Sequence, residues 1–308
     1  MDLLTLPSCA PHAHGIAIDD HRKLGKVGLK LSQLQMKNKR ALMPYLTAGC
    51  PSLDTTADAL RLLAAGGADV IELGIPCSNP FADGPIIRNS VTKSMENGTN
   101  LDSVLSMVCE VAPTLSSPLV LLTYFETISE CGAQRFFRDI KAADVSGLIV
   151  PDLPAEETRA FALLAADYDI ELVLLATPTS SRRRLQEIAA LSRGFIYQVS
   201  STGQTGPRPT VNGQVELLLK ELKELTDIPI AVGFGISRPE HATQIAKWGA
   251  NGVIIGSALV KTLGDRSSPR PRLEGLARAG DLIAEFRQAL DQQSLIQPLP
   301  EKNNMLSI

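Results

Sequence analysis

The chain has 308 residues, of which 44% are hydrophobic, and it carries a formal net charge of −3. Such a chain can bury a sizeable core, and its mild acidity gives no support to nucleic acid or an anionic membrane as the main partner. No apolar run reaches the roughly 18 residues that a membrane-spanning helix requires. Five widely spaced cysteines without a Cys-x-x-Cys pair favour free thiols in a reducing compartment, and the presence of only four histidines argues against a metal site.

Two short ends flank the part of the chain that shows regular patterning. We predict a flexible tail over 1–20, one folded domain over 21–290 and a disordered tail over 291–308. The first residues lack the pattern of a secretory signal and the arginine- and serine-rich composition of an organellar transit peptide. The expected location is therefore the cytoplasm, with the plastid as the alternative.

The folded domain begins with an amphipathic helix over 21–38, which is expected to plug one end of a barrel. Pro44 counts against a central position for the first strand that follows. Further helices are predicted near 52–66, 86–97, 101–113, 132–143, 155–168 and 273–290. Three more are predicted with one bound each: one begins after Ser180, one follows the loop 201–211 and ends near 225, and one begins at Ser237. Short apolar strands are predicted over 41–47, 69–74, 118–124, 146–150, 171–176, 194–200, 228–232 and 252–255.

These strands are mostly apolar on both faces, which is typical of parallel strands covered by helices. The alternation predicts an α/β fold, a single (β/α)8 TIM barrel with an extra N-terminal helix and a C-terminal helix. An open doubly wound sheet is the alternative. A barrel predicts that active groups lie at the carboxyl ends of its strands.

The stretch Val70–Pro85 carries the clearest chemical signal. Because side chains alternate along a strand, Glu72 shares a face with Val70 and Gly74. Burying an acid in an apolar strand has a cost that structure alone does not require. Asp83 follows in a loop rich in proline and glycine, so two carboxyl groups emerge at one end of one strand. Two such groups in different environments can act as an acid and a base, although a satisfied core acid and a turn cap are the simpler alternatives.

Two glycine-rich loops follow the seventh and eighth strands, at 233–237 and 256–258. Glycine lets backbone amides approach a ligand, and a helix N-terminus favours an anion. Barrels often bind phosphate with these two loops, so we predict phosphate binding there. The small polar loop 200–207 is either a lid or an ordinary connection, and Tyr197 on the sixth strand is either a core residue or a site residue.

Neither a nicotinamide-binding Gly-x-Gly-x-x-Gly after the first strand nor a P-loop is present. Lysines are absent from the strand interiors, so a Schiff base is not indicated. What remains is acid–base chemistry without a cofactor, acting on a small phosphorylated molecule.

Seven motifs in order resemble the tryptophan synthase α-subunit family, and the likeness extends over about 38–290. The sequence around Glu72 is most similar to that of plant members, a group that includes enzymes releasing free indole without a partner subunit. The motifs are Pro44–Gly49, Glu72–Pro76, Ala82–Pro85, Pro151–Pro154, Gly203–Gly206, Gly233–Ser237 and Gly256–Ala258.

The resemblance implies a carbon–carbon lyase that cleaves indole-3-glycerol phosphate into indole and glyceraldehyde 3-phosphate, in tryptophan or indole biosynthesis. It implies that Glu72 is the general acid–base, that Asp83 holds the indole N–H, and that Tyr197 assists near the glycerol chain. The implied binding residues are Tyr45 and Leu122 in the indole pocket, Thr205 in the closing loop, and Gly206, Gly235, Gly256 and Ser257 at the phosphate.

The sequence departs from the family pattern where the family faces its β subunit. Asn79 stands where many members have aspartate, and Cys50 replaces another acid. Glu126 and Thr127 replace an Asn-Pro turn. A β-subunit partner is therefore expected but weakened.

Other functions stay open alongside the β-dependent α-subunit lyase. One is a stand-alone lyase that releases free indole. A second is a catalytically silent barrel that regulates a β subunit, although the retained Glu72 and Asp83 speak against it. A third is a different phosphate-binding barrel, such as a sugar-phosphate isomerase, which fits the glycine loops but not the whole motif series.

Overall fold

The structure, a computed structural model, describes residues 24–199, 213–233, 235–265 and 270–296. Within them, eight parallel strands close into a barrel, each pairing with the next in the chain, and β8 pairs with β1. The predicted (β/α)8 fold is therefore confirmed, and the open sheet is wrong. The strands are β1 Ala41–Thr47, β2 Ile71–Gly74, β3 Leu119–Leu122, β4 Gly147–Ile149, β5 Glu171–Ala176, β6 Ile196–Val199, β7 Ile230–Gly233 and β8 Gly252–Ile255.

Helices surround the barrel, and local sequence signals set several of their starts. Ser52, Asn100 and Ser181 each accept a hydrogen bond from the backbone N–H three residues ahead, which satisfies a group that the helix leaves unpaired. The described helices are α1 Lys26–Met36, α2 Leu53–Ala65, α3 Pro85–Glu96, α4 Leu101–Val111, α5 Phe125–Cys131, α6 Ala133–Ala142, α7 Thr158–Asp167, α8 Arg182–Leu191, α9 Gln214–Leu225, α10 Pro239–Lys247, α11 Ser257–Gly264 and α12 Pro271–Ile296.

The core consists of two separate apolar clusters, as strand alternation requires. Ile71 and Leu73 of β2 belong to the outer cluster, between the strands and the helices. Val70 and the interior residues of the other strands form the inner cluster, inside the barrel. The interior face predicted for Glu72, shared with Val70, is confirmed.

Helix α1 closes the amino-terminal end of the barrel, as predicted. Its Val27 and Leu31 are buried in the inner cluster. Glu171, the first residue of β5, accepts hydrogen bonds from the backbone N–H groups of Val27 (2.8 Å) and Gly28 (2.9 Å). This carboxylate caps the helix and fixes it across the barrel floor.

Pro44 lies in the middle of β1, which has neighbours on both sides, so the expectation that proline disfavours a central strand is wrong here. Pairing between β1 and β8 runs from Ala41 to Pro44, and pairing between β1 and β2 runs from Tyr45 to Thr47. Proline has no backbone N–H, and Pro44 lies where the pairing between β1 and β8 ends. The missing donor therefore removes little from the hydrogen bonding between these strands.

Two helices differ from the prediction. Helix α5 was not predicted, and α12 extends to Ile296, six residues past the predicted end of the last helix at 290. The tail 1–20 and the loop 201–211 lie outside the described residues. None of the helices in the described ranges is long and apolar enough to cross a membrane.

Candidate active site

Glu72 projects from β2 into the barrel interior and is only 1% exposed. Among the described residues, its Oε1 atom meets no hydrogen-bond partner. Burial removes water from this carboxyl group, and the neighbouring Asp83 adds negative charge, so the pKa of Glu72 is raised to about 8. A carboxyl group in this state is mainly protonated at neutral pH and has a proton to give.

Asp83 lies in the loop between β2 and α3 and is 9% exposed. The phenol of Tyr124 donates a hydrogen bond of 2.9 Å to its Oδ2 atom. Burial raises the pKa of Asp83 to about 6, while the Tyr124 hydrogen bond and the charge of Arg88 hold it below the value that burial alone would give. The Arg88 Nε also donates to the Asp83 backbone carbonyl (2.6 Å), which fixes the start of α3 to the loop.

The two carboxyl groups therefore share a buried site but differ in protonation. Asp83 has a hydrogen-bond donor and a nearby cation, whereas no group in the described part of the chain offsets the burial of Glu72 in this way. Between about pH 6 and pH 8, Asp83 is mainly ionised and Glu72 is mainly protonated. One group can then accept a proton or hold a cation while the other donates a proton.

Two buried tyrosines face the same cavity in equivalent settings. Tyr45 lies beside Glu72 in the β1–β2 register, and Gly74 is two residues further along β2. Tyr197 lies beside Ala231 in the β6–β7 register, and Gly233 is two residues further along β7. A Cβ atom at either glycine would clash with the phenol, so each glycine makes room for the tyrosine of the preceding strand.

The phosphate-binding residues predicted in the last two loops lie at the same mouth. Gly235 has a φ of +77°, a conformation that favours glycine, and Gly256 precedes the first turn of α11. The N-terminus of α11, which begins with Ser257, suits an anion. Thr205, Gly206 and Phe234 lie outside the described residues.

One cavity collects the eight described members of the predicted set. They come from four strands, β1, β2, β3 and β6, from the loops that follow β2, β7 and β8, and from the first residue of α11. Ile87, Ile236 and Ile254 add apolar walls that the sequence reasoning did not single out. The residues that line the cavity are Tyr45, Glu72, Asp83, Ile87, Leu122, Tyr197, Gly235, Ile236, Ile254, Gly256 and Ser257.

Sequence reasoning also missed Tyr124. Its phenol donates to Asp83 and accepts a hydrogen bond from the Ala82 backbone N–H (3.2 Å), so it links the end of β3 to the loop after β2. The ring of Phe81 packs edge-on against it, with centroids 5.5 Å apart. The only sequence signal was an aromatic residue at the carboxyl end of a strand.

The residues that depart from the family pattern lie around this mouth. Glu126, at the start of α5, accepts a hydrogen bond of 2.8 Å from the Ser78 hydroxyl in the loop after β2. Asn79 is exposed beside Ser78, and Cys50 is buried. Glu126 therefore joins the first turn of α5 to the loop after β2 within the same chain.

Comparison with known proteins gives a consistent result. The family described as tryptophan synthase alpha chain matches residues 31–289. A tryptophan synthase alpha chain of Arabidopsis thaliana is 50% identical over 252 residues, which is 81% of this chain and 92% of that protein. The alpha chain of a Cyanothece strain is 49% identical, over 84% of this chain and 96% of its own length.

Solved structures agree with the sequence comparison. A Mycobacterium tuberculosis tryptophan synthase structure superposes with a TM-score of 0.79 at 31% identity, covering 87% of this chain and 99% of that one. A mutant tryptophan synthase alpha-subunit from Pyrococcus furiosus has a TM-score of 0.74 at 36% identity, covering 80% and 98%. With the barrel, the cavity and these likenesses taken together, the chain belongs to the tryptophan synthase alpha chain family.

Proposed function

We infer that this chain is a carbon–carbon lyase that cleaves indole-3-glycerol phosphate into indole and glyceraldehyde 3-phosphate by a retro-aldol reaction. The observation that carries this function is the pair of buried carboxyl groups, Glu72 and Asp83, which differ in protonation at neutral pH. Cleavage requires a proton on an aromatic carbon and the removal of a proton from a hydroxyl group, so it needs a group that can give and then take a proton.

Glu72 performs both proton transfers in this proposal. Its protonated carboxyl group donates to C3 of the indole ring, and the resulting carboxylate then accepts the proton of the glycerol hydroxyl next to the breaking bond. The C–C bonding electrons return to the indole ring as the hydroxyl carbon becomes an aldehyde. The proton count balances, and Glu72 ends in its starting state. Its pKa of about 8 lies near the operating pH, which is the condition for efficient transfer in both directions.

Asp83 holds the indole N–H in the same proposal. Protonation at C3 places positive charge on the ring nitrogen, and an ionised carboxylate beside it stabilises that charge. Tyr124 keeps Asp83 ionised by donating to it. We expect kcat/KM to be highest between about pH 6 and pH 8, because Asp83 becomes protonated below this range and Glu72 loses its proton above it.

The remaining cavity residues bind and orient the substrate. Tyr45 and Leu122 contact the indole ring, and Tyr197 assists near the glycerol chain. The phosphate lies against the loops after β7 and β8 and the N-terminus of α11. The proposed phosphate residues are Gly235, Gly256 and Ser257, together with Gly206, and Thr205 belongs to the closing loop.

A β subunit is the proposed partner, and one observation favours a stand-alone lyase as the second candidate. The Ser78–Glu126 hydrogen bond joins the loop that carries Asp83 to the start of α5 without a second chain. If this contact replaces a partner contact, Ser78→Ala should slow indole release by the isolated chain and leave release with β less affected. An equal loss in both assays would remove this contact from the explanation.

Indole release from indole-3-glycerol phosphate by the purified chain, alone and with β added, tests the function. Fast release alone indicates the stand-alone enzyme, and slow release restored by β indicates the β-dependent α subunit. Release that Glu72→Gln does not change would overturn the assigned chemistry, and no release in either assay would support the silent regulatory partner.

We propose the cytoplasm as the location, with the plastid as the alternative, and fractionation of cells separates the two.

A further inference from the structure

We propose that Asp152, in the loop after β4, is a positioning residue for Asp83 that acts through the backbone N–H of Phe125 and the phenol of Tyr124. Asp152 does not line the cavity, so its role differs from that of the residues assigned above. The rate effects expected below rest on the proposed function, whereas the structural effects do not.

A continuous series of contacts connects the two aspartates. Asp152 Oδ1 accepts a hydrogen bond of 2.8 Å from the backbone N–H of Phe125, the first residue of α5. The preceding residue, Tyr124, donates 2.9 Å to Asp83 Oδ2 and accepts 3.2 Å from the Ala82 N–H. Loops after β2, β3 and β4 therefore meet at Tyr124 and Phe125.

Helix α5 needs this external acceptor. The first N–H groups of a helix have no acceptor within the helix, and the residue before the helix usually supplies one from its side chain. Here that residue is Tyr124, whose backbone is extended and whose side chain makes no capping bond, because its phenol points at Asp83. Asp152 provides an acceptor for the first of these N–H groups from another loop, and a carboxylate oxygen is well suited to this role.

Asp152 is itself held in place. It lies three residues after the end of β4, in a turn closed by the hydrogen bond from the Leu153 N–H to the Val150 carbonyl (3.2 Å). The packing of Phe81 on the Tyr124 ring cannot replace this anchor, because Phe81 is 56% exposed at the tip of its own loop. The position of the Tyr124 phenol therefore depends on how α5 begins.

Loss of the Asp152 carboxylate should loosen Tyr124 and weaken its hydrogen bond to Asp83. Because that bond lowers the pKa of Asp83, the pKa should rise, and a smaller fraction should be ionised at mildly acidic pH. The variant leaves the other titratable groups around Asp83 unchanged. These groups are Glu72, Tyr45, Tyr197, Cys77 and Arg88.

Kinetics of Asp152→Ala, Asp152→Asn and Asp152→Glu across pH provide the first test. We expect Asp152→Ala to lower kcat/KM about tenfold at pH 6 and only a few-fold at pH 8, since the loss follows the ionisation of Asp83. Asparagine keeps an acceptor oxygen and should stay within about twofold of wild type. Glutamate keeps the charge but displaces the oxygen, so it should fall between them. The control is Asp102→Ala, which removes an exposed aspartate on α4 and should leave the profile unchanged.

Titration of the Asp83 carboxyl carbon by NMR, with ¹³C-labelled aspartate, tests the same proposal without any substrate. Asp152→Ala should raise the Asp83 pKa in the wild-type background and leave it unchanged in a Tyr124→Phe background, where the phenol is already absent. An unchanged pKa in the first background, or an equal rise in both, would overturn the proposal. If Asp152→Ala does not fold, Asp152→Glu carries the same comparison. If the Asp83 pKa rises as expected but the wild-type chain shows no lyase activity, the positioning role is supported and the proposed function is overturned.

Discussion

Two glutamates point into the barrel from opposite ends, and they differ in how their charge is accommodated. Glu171 begins β5 at the amino-terminal end, and its two carboxylate oxygens accept hydrogen bonds from the first N–H groups of α1. Glu72 lies in β2 near the carboxyl-terminal end, and one of its oxygens has no partner among the described residues. Burial raises the pKa of both groups, but backbone hydrogen bonds oppose the rise only at Glu171.

The difference separates an acid that supports the structure from an acid that is available for reaction. At Glu171, Gly25 and Gly28 leave space for the carboxylate, because a Cβ atom at either position would meet it at 2.5 to 3.0 Å. The carboxylate of Glu171 therefore satisfies the first N–H groups of α1, and these N–H groups stabilise the buried carboxylate. At Glu72 no described residue stabilises the ionised form in this way, and a buried carboxyl group in that condition stays protonated until a substrate or a base takes its proton.

Replacing each glutamate by glutamine tests this comparison on catalysis. Glu72→Gln removes the proton donor without changing the shape of the side chain, and we expect kcat to fall by about 10³-fold. Glu171→Gln, which makes the same chemical change at the other end of the barrel, should alter kcat by less than about threefold. The measurement is indole release at saturating substrate by both purified variants.

Equal losses in these two variants would mean that Glu72 contributes to the fold rather than to the reaction. Circular dichroism and a thermal transition for each variant serve as the control, because a misfolded Glu171→Gln would also lose activity.

Asp83→Asn gives the next largest effect, because it keeps the side chain near the Tyr124 hydroxyl but removes the charge. The amide cannot stabilise a cationic ring nitrogen, and we expect kcat/KM to fall about 10²-fold with the fold intact. Turnover close to wild type in a folded variant would contradict the role assigned to Asp83. Asp102→Asn, on the exposed surface of α4, is the matched control.

Much of this site could be predicted because alternation and chain order determine it. Strand alternation placed Glu72 inside the barrel, and the rule that barrel sites lie at the carboxyl ends of strands placed Asp83 at the same mouth. Tyr45 was expected there only from the family resemblance, and the residue pattern alone left Tyr197 open between the core and the site. Both inferences need only neighbouring residues and the order of the elements.

The features that the sequence did not reveal depend on contacts between distant segments. Helix α5 is short and begins without a cap from its own residues, and its acceptor is Asp152, 27 residues away. Tyr124 looked like the end of a strand, and its contact with Asp83 spans 41 residues. Pro44 looked unfavourable because the sequence does not show where the ladder between β1 and β8 ends.

Stability provides the reverse test of the comparison, because Glu171 should matter more than Glu72. In Glu171→Gln only one side-chain oxygen can accept, so one of the two N–H groups of α1 loses its partner in a buried place. A buried donor without a partner costs about 1–3 kcal/mol, and we expect the free energy of unfolding in urea to fall by about 2 kcal/mol at pH 7. No loss would show that water or another acceptor replaces the carboxylate.

The smallest expected effect is a gain in stability in Glu72→Gln that depends on pH. The pKa of Glu72 rises from 4.5 to about 8 on folding, so the folded chain holds a proton that the unfolded chain releases between these values. Stability of the wild type therefore falls as pH rises through this window, and the glutamine variant lacks that slope. Relaxation and water penetration reduce the full cost, so we expect the variant to be more stable by about 1–2 kcal/mol at pH 8.5, with a difference that shrinks toward pH 5. Urea unfolding of both proteins across this range measures it, and parallel curves would mean that the ionised Glu72 is stabilised by an interaction the cavity geometry does not provide.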